Sequence, residues 1–102
     1  MSEILIDHVL LDRVTKAAKE SPRLRMNYNF HESLSSPSQR LLNALEPGTV
    51  LPIHRHRHTA ETYVLLRGRM RVLFYDDDKK EINRYELDPA EGKHTPGTMA
   101  YN

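Results

Sequence analysis

The chain is 102 residues long, one domain's worth of sequence, and large enough for a single modest core. Its 15 Lys and Arg nearly balance 14 Asp and Glu, which argues against the basic face of a nucleic-acid or membrane-surface protein. With no Cys, disulfides, thiolate zinc sites and cysteine nucleophiles are excluded. No apolar run approaches the ~18 residues of a transmembrane helix. The start, MSEILIDHVLLDRVTK, carries early acids and no basic stretch before a long apolar core. A signal peptide is therefore not expected, and a cytoplasmic location is.

The first predicted element is a helix over 7–21. Asp7 is a candidate N-cap, and Leu10, Val14, Ala17 and Ala18 recur on one helical face. Ser21-Pro22 ends it, because the residue before a proline avoids helical geometry. Over 23–31 the period changes to two: Leu24, Met26, Tyr28 and Phe30 alternate with polar residues, the pattern of a half-buried strand. SLSSPS over 33–38 is a loop by composition, 39–45 a strand of mixed pattern, and Glu46-Pro47-Gly48 a turn.

Residues 49–57 are expected to be extended, followed by a strand over 61–67 (ETYVLLR) that Gly68 breaks. Alternation resumes over 69–75, with Met70, Val72 and Phe74 on one face. A charged turn at 76–80 precedes a strand over 81–87. The acids of DDDKK solvate a hairpin, since the Gly and distal Glu of an EF-hand loop are absent. Short strands between turn signals, after a helix, predict an all-β sandwich or barrel with an N-terminal helical addition.

Three of the six histidines fall within five residues, at 54, 56 and 58. In a strand, residues two apart share a face, so His54 and His56 can enter one pocket, with Glu61 reaching it from the adjoining strand. Two imidazoles and a carboxylate with open positions form the ligand set of non-haem Fe(II), also usable by Zn, Mn or Ni. An exposed basic stretch is the alternative reading of HRHRH.

From Gly48 the chain runs through five residues to His54, one to His56, four to Glu61 and six to Gly68. This spacing resembles the first sequence motif of the cupin superfamily at every fixed position. The blocks SPRLRMNYNFH, SQRLLNALEPGT, PIHRHRHTAE and LLRG look like those of the WbuC-type cupin-fold metalloproteins. These are small proteins associated with bacterial polysaccharide (O-antigen) gene clusters. The likeness runs from about Asp7 to Gly92. It implies a cupin jelly roll, a double-stranded β-helix, as one domain over 1–102, with barrel strands over 23–92. It also implies one divalent metal ion (Fe, Mn, Zn or Ni) at His54, His56 and Glu61. The role it suggests lies in sugar or nucleotide-sugar metabolism.

The tail over 93–102 departs from that pattern. The second cupin motif places a fourth ligand through Pro-x-Gly-x-x-His, whereas here three residues beyond Gly97 stands Ala100 and five beyond Pro96 stands Tyr101. Closing strands are not expected, so the barrel is incomplete at its C-terminus. The site then holds three protein ligands and water, unless His58 or His94 supplies a fourth. An open sheet edge predicts a homodimer, joined by sheet edges or by an exchanged N-terminal segment.

Asn29, His31 and Arg40 have two readings. They stand at the mouth of the metal pocket, where Arg40 grips a carboxylate or phosphate, or they lie on a wet face, with Arg40 in a surface ion pair. Tyr63 shares a strand face with Glu61, as pocket wall or as core. Arg55 and Arg57 flank the ligands and point to solvent or a partner subunit. No catalytic residue is assigned; His31 is only a candidate base. The expected ligand is a small sugar-type molecule, and three functions fit: Lewis-acid isomerase or epimerase chemistry, an Fe(II) dioxygenase, or a non-catalytic metal and sugar-binding module.

Overall fold

The carboxylate of Asp7 starts the first element. Its Oδ1 accepts the Leu10 backbone N–H at 3.0 Å, satisfying one of the amides a helix leaves unpaired at its start. Helix α1 runs His8–Glu20, with Lys19 in the last turn where a cation complements the helix dipole. Leu10, Val14 and Ala18 form its buried stripe. The Ser21 N–H donates back to the Ala18 carbonyl, and Pro22 follows. The computed structural model describes residues 3–56, 59–90 and 98–101. It divides into two compact units, Met1–Pro52 and Ile53–Asn102.

In the first unit, strand β1 (Arg25–Asn29) pairs antiparallel with β2 (Leu41–Leu45), Met26 opposite Ala44 and Tyr28 opposite Leu42. The helix packs against both strands. β1 is shorter than the 23–31 expected. Leu24 has a left-handed φ of 56° and its N–H donates to the Ser21 carbonyl, so the chain is still turning after Pro22. The ladder continues past the strand ends, through Phe30 N–H to Arg40 O (2.8 Å) and Glu46 N–H to Leu24 O (2.9 Å). The turn at 46–49 closes as expected: Thr49 N–H donates to Glu46 O, with Pro47 and then Gly48 at φ 94° between them. Proline followed by a left-handed glycine is the sequence a type II turn demands.

In the second unit, β3 is Glu61–Val64, β4 Met70–Tyr75, β5 Glu81–Leu87 and β6 Thr98–Tyr101. β4 and β5 form an antiparallel hairpin. The 76–80 turn between them is the charged one expected. Asp76 Oδ1 accepts the backbone N–H groups of Asp78 and Lys80, both at 2.9 Å. Leu87 is fully buried, and the Phe74 and Tyr85 rings meet edge-on at 6.1 Å. Residues 49–56, expected to be extended, pair with no strand; Arg57 lies outside the described residues.

The tail corrects one expectation. Thr98–Tyr101 forms a strand after all, antiparallel to β3, with Tyr101 opposite Glu61 and Thr98 opposite Val64. Four residues are too few for alternation to show in a sequence, but enough for a ladder against a strand already in place.

The described residues are therefore mostly β with one N-terminal helix, in three two-stranded antiparallel sheets: β1-β2, β3-β6 and β4-β5. Among the described residues, no sheet has more than two strands. No described helix is long and apolar enough to cross a membrane.

Candidate metal centre

The histidine segment and the first residue of β3 meet within the second unit. His56 Nε2 lies 3.3 Å from Glu61 Oε2. The His54 ring stands edge-on to the His56 ring, centroids 5.2 Å apart and planes at 88°. These are the three residues whose spacing singled them out. Only two of them bring donor atoms together: among the described residues, no group of three or more His, Asp or Glu side chains is gathered closely enough to hold a metal ion. His58 and His94 lie outside the described residues.

The pair nevertheless fits a metal in chemistry and spacing. Two ligands each bonded at ~2.1 Å, with an angle of 90–109° between them, are about 3.0–3.4 Å apart. The His56–Glu61 separation of 3.3 Å falls in that range. One imidazole nitrogen and one carboxylate oxygen suit any of the four metals expected.

Two neighbours shape this corner. On β3, Glu61 and Tyr63 are half-buried while Thr62 and Val64 are exposed, as period two requires. Burial first, and the Glu61 charge second, push the Tyr63 phenol above its usual pKa and favour its neutral, donor form. Arg55, between the two histidines, forms an ion pair with Asp77 of the β4–β5 turn. The sequence reading sent Arg55 to solvent or a partner subunit. A contact 22 positions away leaves no local signal.

Asn29, His31 and Arg40 belong to the first unit. Asn29 ends β1 opposite Leu41. His31 Nδ1 lies 3.2 Å from the Arg40 backbone N–H and 3.1 Å from its carbonyl, closing the neck of the 30–40 loop. The three residues thus adjoin at one end of the hairpin. His31 has one ring nitrogen committed to the backbone, a structural duty the sequence did not reveal.

Residues 6–87 match the model of a family described as Domain of unknown function (DUF6016). The chain belongs to this family. The DUF6016 match takes in the helix, β1 to β5, and all of His54, His56 and Glu61. No curated protein and no solved structure matches the chain.

Proposed function

We propose that this DUF6016 protein is a cupin-type, WbuC-like metalloprotein. In this reading it holds one divalent transition-metal ion through His54, His56 and Glu61. The observation that carries the reading is the 3.3 Å approach of His56 Nε2 to Glu61 Oε2, with the His54 ring beside them. The motif spacing and the succession of short antiparallel strands support a jelly roll as the parent architecture. When bound, the metal supplies Lewis acidity toward an oxygen of the ligand. Tyr63, neutral at ordinary pH, offers a hydrogen-bond donor next to Glu61.

The ligand class proposed is a small sugar or nucleotide-sugar compound of bacterial polysaccharide metabolism, met in the cytoplasm. Within that reading, a binding module is favoured over an enzyme by the openness of the site. The His56 and Glu61 side chains keep 41% and 43% of their exposure, so water is not excluded from the donors. The protein is also proposed to be a homodimer, since only four apolar residues (Leu10, Val14, Ala18 and Leu87) are buried among the described residues while thirteen large ones are exposed.

Elemental analysis of protein purified without a histidine tag tests the metal. Near-stoichiometric Fe, Mn, Zn or Ni is expected. A chain that stays metal-free after incubation with each of the four, then desalting, overturns the assignment. A calorimetric screen of nucleotide-sugars against metal-loaded and chelated protein tests the ligand, with binding expected only when metal is present.

A further inference from the structure

A hollow of about 200 Å³ opens in the first unit beside the approach to β1, lined by Pro22, Arg23, Leu24, Arg25, Gly48 and Val50. It exceeds several-fold the ~30 Å³ share of one liquid water, which leaves room for a small oxyanion. The lining carries two guanidiniums and no carboxylate. Neither arginine forms an ion pair with a described residue, although Glu46 bonds across to Leu24 through its backbone N–H. Arg25 Nη1 donates to the Val50 carbonyl at 3.2 Å, which holds that guanidinium against the opposite wall. The rest of its fork, and the whole side chain of Arg23, donate to no described residue.

The backbone that carries the pair is fixed. Leu24, between the two arginines, sits at φ 56°, a conformation its side chain disfavours. Three bonds hold it there: its N–H donates to Ser21 O at 3.0 Å, and its carbonyl accepts from Glu46 N–H at 2.9 Å and Thr49 Oγ1 at 2.7 Å. Strain of this kind collects at ligand clamps, where it pre-sets the groups on either side. Two cations on a fixed backbone around one hollow suit a dianion, and a guanidinium fork matches two phosphate oxygens at once. A carboxylate brings a single charge to the pair, whereas a phosphate ester brings about two. A long polyanion is not the expected ligand, because 15 Lys and Arg nearly balance 14 Asp and Glu over the chain.

We propose that this hollow is a phosphate-binding site, which takes the phosphate group of a small ligand between Arg23 and Arg25. Every residue of the hollow lies in Met1–Pro52, so the inference goes beyond the metal reading and does not rest on it.

An NMR titration of the full chain as purified tests the site. Inorganic phosphate at fixed ionic strength is expected to shift the amide signals of Arg23, Leu24, Arg25 and Gly48, and to saturate. Acetate is expected to bind at least about tenfold more weakly. Arg23→Gln is expected to raise the phosphate Kd at least about tenfold, the ordinary weight of a charge-assisted hydrogen bond. Its fold should be kept, with unchanged circular dichroism and thermal midpoint in the absence of phosphate. Should that variant fail to fold, Arg25→Lys, which keeps the charge and loses the fork, decides: at least about threefold weaker phosphate binding is expected. A sugar 1-phosphate that binds more tightly than inorganic phosphate marks an ester as the ligand; equal binding marks the phosphate group alone, and either result supports the site. Hollow signals that respond to phosphate no more than to chloride overturn it. So do a folded variant with wild-type affinity, acetate bound as tightly as phosphate, and shifts confined to the 54–61 segment, where the anion would report on the metal instead. The metal itself is read separately by elemental analysis, so either reading can fail alone.

Discussion

His56 Nε2 and Glu61 Oε2 lie 3.3 Å apart although five positions separate them in sequence. The approach is set from two sides. β6 pairs with β3 and so fixes the backbone that carries Glu61, while the Arg55–Asp77 ion pair ties the histidine segment to the β4–β5 turn. The pair is therefore held by the tail and the hairpin together, and its spacing suits adjacent ligands on one ion.

His54→Ala, His56→Ala and Glu61→Ala are each expected to lose most of the bound metal, because three ligands leave no redundancy. His58→Ala is expected to keep at least part of it. Elemental analysis of the four purified variants provides the check. Wild-type metal content in any two of the first three would refute the ligand assignment.

The approach of His56 to Glu61 was legible in the spacing of the histidine segment and the acid that opens β3. The helix was legible because Asp7, the apolar stripe and Pro22 each carry a local signal. Strand ends were less so. Leu24 reads as strand by alternation yet sits at φ 56°, because the Ser21–Leu24 hydrogen bond outweighs its preference. The β3-β6 pairing and the Arg55–Asp77 contact join residues far apart in sequence, and pairwise partners at that distance leave no periodic trace.

Asp7→Ala is expected to cost about 1 kcal/mol, the ordinary value of an N-cap. Leu10→Ala, which empties a buried position of the same helix, should cost more, about 2–5 kcal/mol. Urea denaturation followed by circular dichroism measures both. An equal, negligible effect would mean that α1 contributes nothing to the cooperative unit.

Two turns carry left-handed residues of opposite fitness. Gly48 sits at φ 94°, and an added Cβ would meet Leu24 Cδ1 at 3.4 Å. Gly48→Ala is thus expected to lose about 1–2 kcal/mol. Lys79 holds φ 63° with a full side chain in the exposed 76–80 turn. Lys79→Gly removes that steric cost and is expected to gain about 0.5–1 kcal/mol after the entropy of glycine is counted. Thermal melts of the two variants should shift in opposite directions.

Arg84 grips Glu81 with two bonds, Nε to Oε2 at 3.1 Å and Nη2 to Oε1 at 2.7 Å. Residues three apart in a regular strand face opposite ways, but here Phe74 opposes Asn83 and Tyr75 opposes Glu81, leaving Ile82 without a partner. That bulge turns Glu81 onto the face of Arg84. The hydrogen bond from Arg84 holds the Glu81 carboxyl below its ordinary pKa. A depressed carboxyl contributes its stability above the unfolded-state pKa, about 4.3 for Glu, and loses it as pH falls through the folded value. Urea midpoints of wild type are therefore expected to fall over that acid range. Glu81→Gln and Arg84→Ala should each flatten the fall slightly, since both side chains are partly exposed and water screens the pair. High salt should reproduce the flattening in wild type. A wild-type slope retained in full by both variants would show that the bidentate pair is not linked to folding.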